Sequence, residues 1–409
     1  MSRVAKPSVR TFSLAVVLVG CGTSSTAPHD AGGDAIRGDG GAHHVVDAAQ
    51  HAGHDAATAH DARTDLDARV DGPVDAGVDA RATHSLANVG WGIYNQHGNA
   101  NWATDIAHAE SVTGRHVDLV LDYVDWSSGT AAWPTLSAAT ISGIGGRPMM
   151  WTVQPSGVMW SALIAGTYDA QIIAFADWVN TTLKSRIYVR FAHEANGTGW
   201  YNWQVGGSCG VTSAADYVDG FNHVASVLKA HSTYILTVWA ANNGPTDNIA
   251  SFYPSGADII GFDTYNFGPN TTSMDASVGG PATRWTEAAS LNATAYAALV
   301  TCDPQKPIWI CETSTEEPSA AWNPTTYDPS QYPNNLLIAA QPSHDKGEWV
   351  TKFLSETDMP RVSAVVWFDT QKERNWIVDS SDSSTNAFYA AFSESRGGGV
   401  YWNAATGGQ

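Results

Sequence analysis

The sequence predicts an α/β protein whose core is a closed (β/α)8 TIM barrel, preceded by a long segment that cannot form a core. Eight short runs rich in β-branched and aromatic residues follow one another after residue 86, and longer stretches with helical periodicity separate them. Strands that are apolar throughout are typical of a parallel sheet covered by helices. Eight such units in a row predict a closed barrel rather than an open sheet.

Each unit of this barrel is visible in the chain. Strands are predicted over 88–94, 117–124, 147–153, 187–194, 234–241, 257–265, 306–312 and 362–369. Helices are predicted over 101–112, 168–184, 213–230, 283–300 and 345–357, with weaker helical patterns near 134–144, 246–253 and 385–394. We therefore expect one domain, residues 86–409, to contain all the secondary structure.

The N-terminal 20 residues resemble an export signal. Basic residues precede an apolar run at 14–19, which is too short to span a bilayer. The sequence Leu18-Val19-Gly20-Cys21 resembles a bacterial lipobox, in which the cysteine is lipidated after cleavage. We therefore expect a lipoprotein signal peptide over 1–20 and a lipid anchor at Cys21, at the outer membrane or cell surface of a bacterium. The alternative is an ordinary signal peptide and a secreted protein.

Residues 21–85 are predicted to be a disordered tether. No Phe, Tyr or Trp occurs between Phe12 and Trp91, so this part lacks the large side chains of a core. Residues 22–85 contain eleven Asp but neither Glu nor Lys, and like charges keep such a segment solvated. Its histidines allow a metal-binding alternative, but their irregular spacing favours a spacer.

The net charge and the tryptophan content indicate which classes of partner the domain binds. A net charge of −19 argues against binding nucleic acid or an anionic membrane surface. The 17 Trp residues suit a neutral partner such as a sugar, because pyranose rings pack on indole. The domain has no phosphate-binding loop and no constellation of metal ligands, so we expect neither cofactor nor metal. Its three cysteines are an odd number, so they cannot all pair with one another, and we expect no essential disulfide. We also expect a monomer.

Two carboxylates stand at the ends of predicted strands that face each other across the barrel. Glu194 ends the fourth strand and Glu312 ends the seventh, and the C-terminal ends of the strands form the catalytic face of such barrels. Period-two alternation would place Arg190 and Glu194 on the same inward face. Hydrolysis of a glycosidic bond requires two such carboxyl groups. Glu316 and Glu317 are less favoured, since they follow the strand.

The residues around Glu194 resemble glycoside hydrolase family 26. That family has a strand ending His-Glu-Met-Asn-Gly followed by aromatic residues, and this sequence reads His193-Glu194-Ala195-Asn196-Gly197 before Trp200. Ala195 replaces the Met, and every reactive group is kept. The family's nucleophile follows a Pro-led apolar run, as Glu312 does here after Pro307. The resemblance covers roughly residues 88–395.

The resemblance implies a retaining β-glycanase with roles for particular residues. Glu194 would be the acid/base and Glu312 the nucleophile. Tyr265 would donate a hydrogen bond to Glu312, and His193 would lie beside both carboxylates. Trp367 would form the floor of the sugar subsite next to the cleaved bond. The full set predicted to contact substrate is His193, Asn196, Trp200, Trp203, Asp263, Tyr265 and Trp367. Tyr201 is predicted to be a further aromatic platform for sugars. For Asp122, Asp263 and Asp369 the alternative to substrate contact is a hydrogen-bonded role at the rim of the barrel.

The substrate implied first is β-1,4-mannan, since endo-mannanases dominate family 26. Mannanases of the family usually carry His at the end of strand three, where this sequence has Gln154. Mixed-linkage β-1,3-1,4-glucan and β-1,3-xylan are therefore kept as alternatives. A catalytically inactive, glycan-binding barrel is an alternative of another class. It would predict the loss of one carboxylate, and both are present.

Overall fold

The computed structural model describes residues 84–95, 101–127, 132–243, 248–267, 285–317, 344–370 and 375–395. The chain divides into two units, residues 1–37 and 38–409, and all described residues belong to the second. The predicted signal peptide, the anchor at Cys21 and almost all of the tether lie outside the described residues.

Eight parallel strands close into one barrel, in which each strand pairs with the next and β8 pairs with β1. The strands are β1 Gly90–Asn95, β2 Leu119–Asp125, β3 Met149–Gln154, β4 Ile187–Phe191, β5 Ile235–Asn242, β6 Ile259–Asn266, β7 Ile308–Thr315 and β8 Val362–Asp369. The predicted (β/α)8 fold is confirmed.

Helices connect the strands on the outside of the barrel. They are α1 Trp102–Thr113, α2 Ala138–Gly143, α3 Trp160–Ile164, α4 Asp169–Trp178, α5 Ala214–His231, α6 Ala288–Cys302, α7 Lys346–Leu354 and α8 Asp382–Ser395. The short helix α3 was not predicted, and the weak pattern near 246–253 forms a 3-10 turn over Ile249–Phe252. Serine and aspartate side chains begin some helices, as where Ser213 accepts a hydrogen bond from the Asp216 N–H.

Buried apolar side chains form two layers, one on each side of the strands. The inner layer fills the barrel with Leu119, Leu121, Met150, Tyr188, Val238, Ala240, Ile259, Trp309, Cys311, Ala364 and Val366. The outer layer packs the other strand side chains against the helices. Because successive residues of a strand point to opposite sides, neighbours in sequence belong to different layers. Since both layers are apolar, residue type alone does not show which layer a strand residue joins.

Strand β4 is shorter than predicted and ends in an unusual turn. It stops at Phe191, and both Ala192 (φ 48°) and Glu194 (φ 53°) adopt left-handed backbone. That conformation costs a residue other than glycine roughly 1–2 kcal/mol. The alternation argument for Glu194 was therefore wrong, because regular strand geometry does not continue to that residue.

Strand β7 contains a β-bulge at the position of Cys311. Phe262 of β6 pairs with Ile310, and the next residue, Asp263, pairs with Glu312, so Cys311 has no partner on β6. Cys311 and Trp309 belong to the inner layer, so regular alternation would turn Glu312 outward. The bulge shifts the alternation by one residue and turns Glu312 towards the inside of the barrel.

None of the helices in the described residues is both long enough and apolar enough to cross a membrane. Cys209, Cys302 and Cys311 are free thiols.

Candidate active site

Glu194 lies in the turn after β4, where three side chains bind successive main-chain carbonyls. Tyr217 donates to the carbonyl of Ala192 at 3.0 Å, and Trp203 donates to that of His193 at 2.7 Å. Gln204 donates to the carbonyl of Glu194 at 2.8 Å. Strained backbone persists where its surroundings determine it this strongly, and such strain is common at functional sites.

The carboxylate of Glu194 accepts two hydrogen bonds from its neighbours. Asn242, the last residue of β5, donates its side-chain amide to Oε1 at 2.9 Å. The indole N–H of Trp200 reaches Oε2 at 3.3 Å. Trp200 is 40% exposed, whereas Glu194 is only 8% exposed. Trp200 therefore presents an aromatic surface to solvent beside a nearly buried carboxyl group.

Glu312 is held by a cation and two tyrosine hydroxyls. Nη1 of Arg190 lies 2.5 Å from Oε1, and the hydroxyl of Tyr265 donates to Oε2 at 2.5 Å. The hydroxyl of Tyr123 also forms a hydrogen bond with this carboxylate. A nearby cation and donated hydrogen bonds all favour the ionised form of a carboxyl group.

The two carboxyl groups therefore differ in their electrostatic surroundings. Burial, and next the charge of Glu312, raise the pKa of Glu194 to about 7. Glu194 has two neutral donors, whereas Glu312 has direct contact with Arg190. At neutral pH Glu194 can carry a proton, while Arg190 and the hydroxyl of Tyr265 lie against the oxygens of Glu312. This pairing can donate a proton to one atom of a substrate and place a negative oxygen against another.

Aromatic side chains of four strands and one loop surround this pair. Phe368 of β8 stacks on Tyr94 with ring centroids 4.5 Å apart, and meets Tyr265 edge-on at 5.6 Å. Tyr123 completes the group, 5.1 Å from Tyr94. Trp376 packs behind Tyr265 at 5.3 Å. The mouth of the barrel beside Glu312 is thus lined by rings suited to the flat face of a sugar.

The structure places Tyr265 and Trp200 at the mouth, as expected from the sequence. His193 and Asn196 instead lie beneath it. His193 is 1% exposed, and Nε2 lies 3.2 Å from the hydroxyl of Tyr201. Asn196 binds the main chain of Asn242 through both ends of its amide, at 2.9 and 2.8 Å. It therefore supports the residue that contacts Glu194, rather than reaching substrate itself.

Three of the residues predicted to contact substrate are in other places. Trp367 is fully buried in the outer layer, where it packs edge-on against Phe388 and donates to the carbonyl of Trp376. Strand alternation turns its neighbour Phe368 to the mouth instead. Trp203 is 2% exposed and stacks beneath Tyr201. Asp263 is 1% exposed and forms an ion pair with Arg190.

Glu316 and Glu317, the less favoured carboxylates, form a separate buried cluster. Their charges act on Lys346, together with those of Asp369 and Asp379. The ammonium of Lys346 donates to the carbonyl of Ile377 at 2.7 Å. These carboxylates therefore balance a buried lysine that joins the segments after β7 and β8.

Sequence reasoning missed four residues that contact the carboxylate pair or the rings beside it: Arg190, Asn242, Tyr123 and Phe368. The alternation argument placed Arg190 on the inward face of its strand but gave it no role. A charged residue inside a strand otherwise apolar was the available signal for Arg190, because burying an unpaired charge is costly. The other three depend on strand phase, which the sequence left open.

Asn242→Ala is expected to shift the alkaline limb of the profile of kcat/KM against pH to higher pH. The wild-type kcat/KM should fall as pH rises through about 7, where Glu194 loses its proton. The donated hydrogen bond stabilises the ionised form, so removing it raises the pKa of Glu194. The matched control is Asn243→Ala, whose amide donates to Thr264 instead. An unchanged limb in Asn242→Ala would contradict this role.

Comparison with known proteins gives a related sequence and several similar folds. No family model matches the chain. A curated relative, endoglucanase H of Acetivibrio thermocellus, is 26% identical over 290 residues, covering 69% of this chain and 28% of the relative. This chain therefore matches less than a third of that protein's length.

Solved structures with a similar fold include the GH26 domain of an endo-β-mannanase/endo-β-glucanase from Prevotella bryantii. Its TM-score is 0.44 at 13% identity, covering 75% of this chain and 89% of that one. A ruminal GH26 endo-β-1,4-mannanase gives 0.45 at 13% identity, covering 75% and 63%. At these identities the likeness concerns the fold alone. This chain is thus similar in sequence to a curated endoglucanase and similar in fold to solved GH26 domains.

Proposed function

We propose that the protein is a retaining endo-β-glycanase in which Glu194 is the acid/base and Glu312 the nucleophile. The observation that carries this proposal is the difference between the two carboxyl groups. Burial raises the pKa of Glu194 to about 7, while Arg190 and Tyr265 contact both oxygens of Glu312. An inactive glycan-binding barrel would have no need for such a pair.

The reaction proceeds in two displacements. In the first, an oxygen of Glu312 attacks the anomeric carbon while the proton of Glu194 passes to the glycosidic oxygen. The bond between carbon and that oxygen breaks, and a covalent glycosyl-enzyme remains. In the second, Glu194 takes a proton from water, the water oxygen attacks the same carbon, and Glu312 leaves. Two inversions at one carbon retain its configuration.

Arg190 and Tyr265 act on the carboxylate of Glu312 during both displacements. In the free enzyme they stabilise the negative charge of Glu312. As the covalent bond forms, that charge is lost, and the donors must tolerate a neutral ester. Asp263, the second buried carboxylate on Arg190, keeps the cation in place through both states. Substrate is held by Trp200 on the side of Glu194 and by Phe368 on the side of Glu312.

For the substrate we propose a β-glucan, with mixed-linkage β-1,3-1,4-glucan first. Two observations favour it over mannan. The related sequence is named an endoglucanase, and Gln154 ends strand three where family mannanases usually have His. β-1,4-mannan is the second candidate, because mannanases dominate the family that the strand-four motif resembles.

A panel of polysaccharides tests both the substrate and the stereochemistry. We expect barley-type glucan to be hydrolysed with a kcat/KM at least about tenfold above that for mannan, glucomannan or β-1,3-xylan, a ratio typical of one altered contact. Reducing-end release measures the rates, and NMR of the first product should show the β anomer. A preference for mannan would overturn the glucan assignment, and an α anomer would overturn the retaining mechanism.

We further propose that the protein is exported and anchored by a lipid on Cys21. The basis is the lipobox-like sequence ending in Cys21 and the aromatic-free segment that follows. Cys21→Ser should move the protein from the membrane fraction to the soluble fraction with unchanged specific activity. The matched control is Cys209→Ser, which leaves the anchor intact. Membrane retention of Cys21→Ser would contradict lipidation.

A further inference from the structure

The segment after β4 folds back so that one buried side chain holds both the acid and the aromatic platform beside it. Gln204 is fully buried, and Nε2 donates to the main-chain carbonyl of Glu194 at 2.8 Å. Its Oε1 accepts hydrogen bonds from three successive N–H groups, those of Gly199, Trp200 and Tyr201, at 2.7, 2.9 and 3.2 Å. One amide thus satisfies four main-chain groups.

These contacts act on a part of the chain that is strained and closely packed. Glu194 has a φ of 53°, a conformation that a glutamate keeps only when its surroundings require it. A Cβ atom at Gly197 would overlap both the Trp200 ring and the Gln204 amide, so no side chain fits between them. The indole of Trp200 in turn donates to the Glu194 carboxylate at 3.3 Å. Gln204 therefore couples the positions of Glu194 and Trp200.

We propose that Gln204 is a positioning residue that sets the direction of proton donation by Glu194, and this inference rests on the acid/base role proposed above. Gln204 touches neither carboxyl group and takes no proton. It fixes the main chain on which the acid is carried and the loop that carries the platform. Loss of this support would let the Glu194 carboxyl group move away from the glycosidic oxygen.

The expected consequence depends on the leaving group of the substrate. The sugar that departs from a natural substrate is a poor leaving group and needs a proton from Glu194. A dinitrophenolate is a good leaving group and departs without being protonated. A misplaced acid therefore slows the first displacement on oligosaccharides and spares the first displacement on activated aryl glycosides, and kcat/KM reports that step. A residue needed only for folding would instead lower both activities in the same proportion. The ratio of the two rates separates the two roles.

The test compares Gln204→Met, Gln204→Glu and wild type on a β-gluco-oligosaccharide and on the matching dinitrophenyl glycoside. We expect Gln204→Met to lower kcat/KM for the oligosaccharide by about 10- to 100-fold, the size of effect that follows from a misplaced catalytic group. The kcat/KM for the aryl glycoside reports only the first displacement and should change by less than about threefold, since that step needs no proton transfer when the leaving group is activated. Gln204→Glu keeps the three accepted hydrogen bonds, so its KM for the oligosaccharide should stay nearer wild type than that of Gln204→Met.

Two controls make the outcome decisive. Asn292→Leu removes another buried amide, which donates to the Ala288 carbonyl of α6 at 3.0 Å, and should leave both rates unchanged. Glu194→Ala should show the same dependence on leaving group, in a stronger form. Equal losses on both substrates in Gln204→Met, or no loss on either, would overturn the positioning role. Absence of the dependence in Glu194→Ala would overturn the proposed function instead.

Discussion

Glu312→Ala should lose hydrolysis of every substrate, activated or natural, by about 10⁴- to 10⁶-fold, the range seen when a nucleophile is removed. Glu312 supplies the oxygen that attacks the anomeric carbon, so neither a better leaving group nor a change of pH replaces it. Its neighbours Arg190 and Tyr265 remain and leave a cationic space where the carboxylate was. Rates on oligosaccharide and dinitrophenyl glycoside measure the loss.

Added azide distinguishes this loss from unfolding. In Glu312→Ala an azide ion can enter the vacated space beside Arg190 and displace an activated leaving group directly. One displacement inverts the carbon, so the expected product is an α-glycosyl azide. The matched control is Glu348→Ala, an exposed glutamate of α7, which should retain full activity. Near wild-type rates in Glu312→Ala would place the nucleophile elsewhere.

Glu194→Ala should fail in a different way. It removes proton donation in the first step and base assistance in the second, each worth roughly 10²–10⁴-fold. An aryl glycoside with a good leaving group should still glycosylate Glu312, and the covalent sugar should accumulate. Mass spectrometry should find it on the peptide that contains Glu312. Azide should restore turnover by attacking the glycosyl-enzyme, and two displacements give a β-glycosyl azide.

The anomeric configurations of the two azide products test the roles of Glu194 and Glu312 without relying on reaction rates. An α product from Glu312→Ala and a β product from Glu194→Ala are expected only if the carboxylates hold the proposed roles. The decrease in rate above about pH 7 that wild type should show on the oligosaccharide should also be absent from the residual activity of Glu194→Ala, because that decrease reports the ionisation of Glu194. Identical behaviour of the two variants would overturn the retaining assignment.

The sequence by itself determined the architecture and indicated the two glutamates that the structure places at the mouth of the barrel. Periodicity suffices for the barrel, because strands covered on both sides must be apolar while the helices need only one apolar face. Both glutamates were chosen from the predicted ends of strands four and seven, although β4 stops at Phe191 and β7 continues to Thr315, and the motif around Glu194 points to the same residue. Tyr265, two residues beyond Asp263 on the same strand, was also identified, and its hydroxyl meets Glu312 at 2.5 Å.

Only the tertiary structure decided which neighbouring side chains face the site. Both sides of every strand are buried, so an aromatic residue fits either layer, and Trp367 rather than Phe368 was wrongly chosen for the mouth. Strand phase also changes without a sequence signal, at the left-handed turn after Phe191 and at the bulge of Cys311. These irregularities are stabilised by residues distant in sequence, such as Tyr217 for the turn and Gly261, which leaves room for the Cys311 thiol. Contacts of this kind exist only once the barrel has closed.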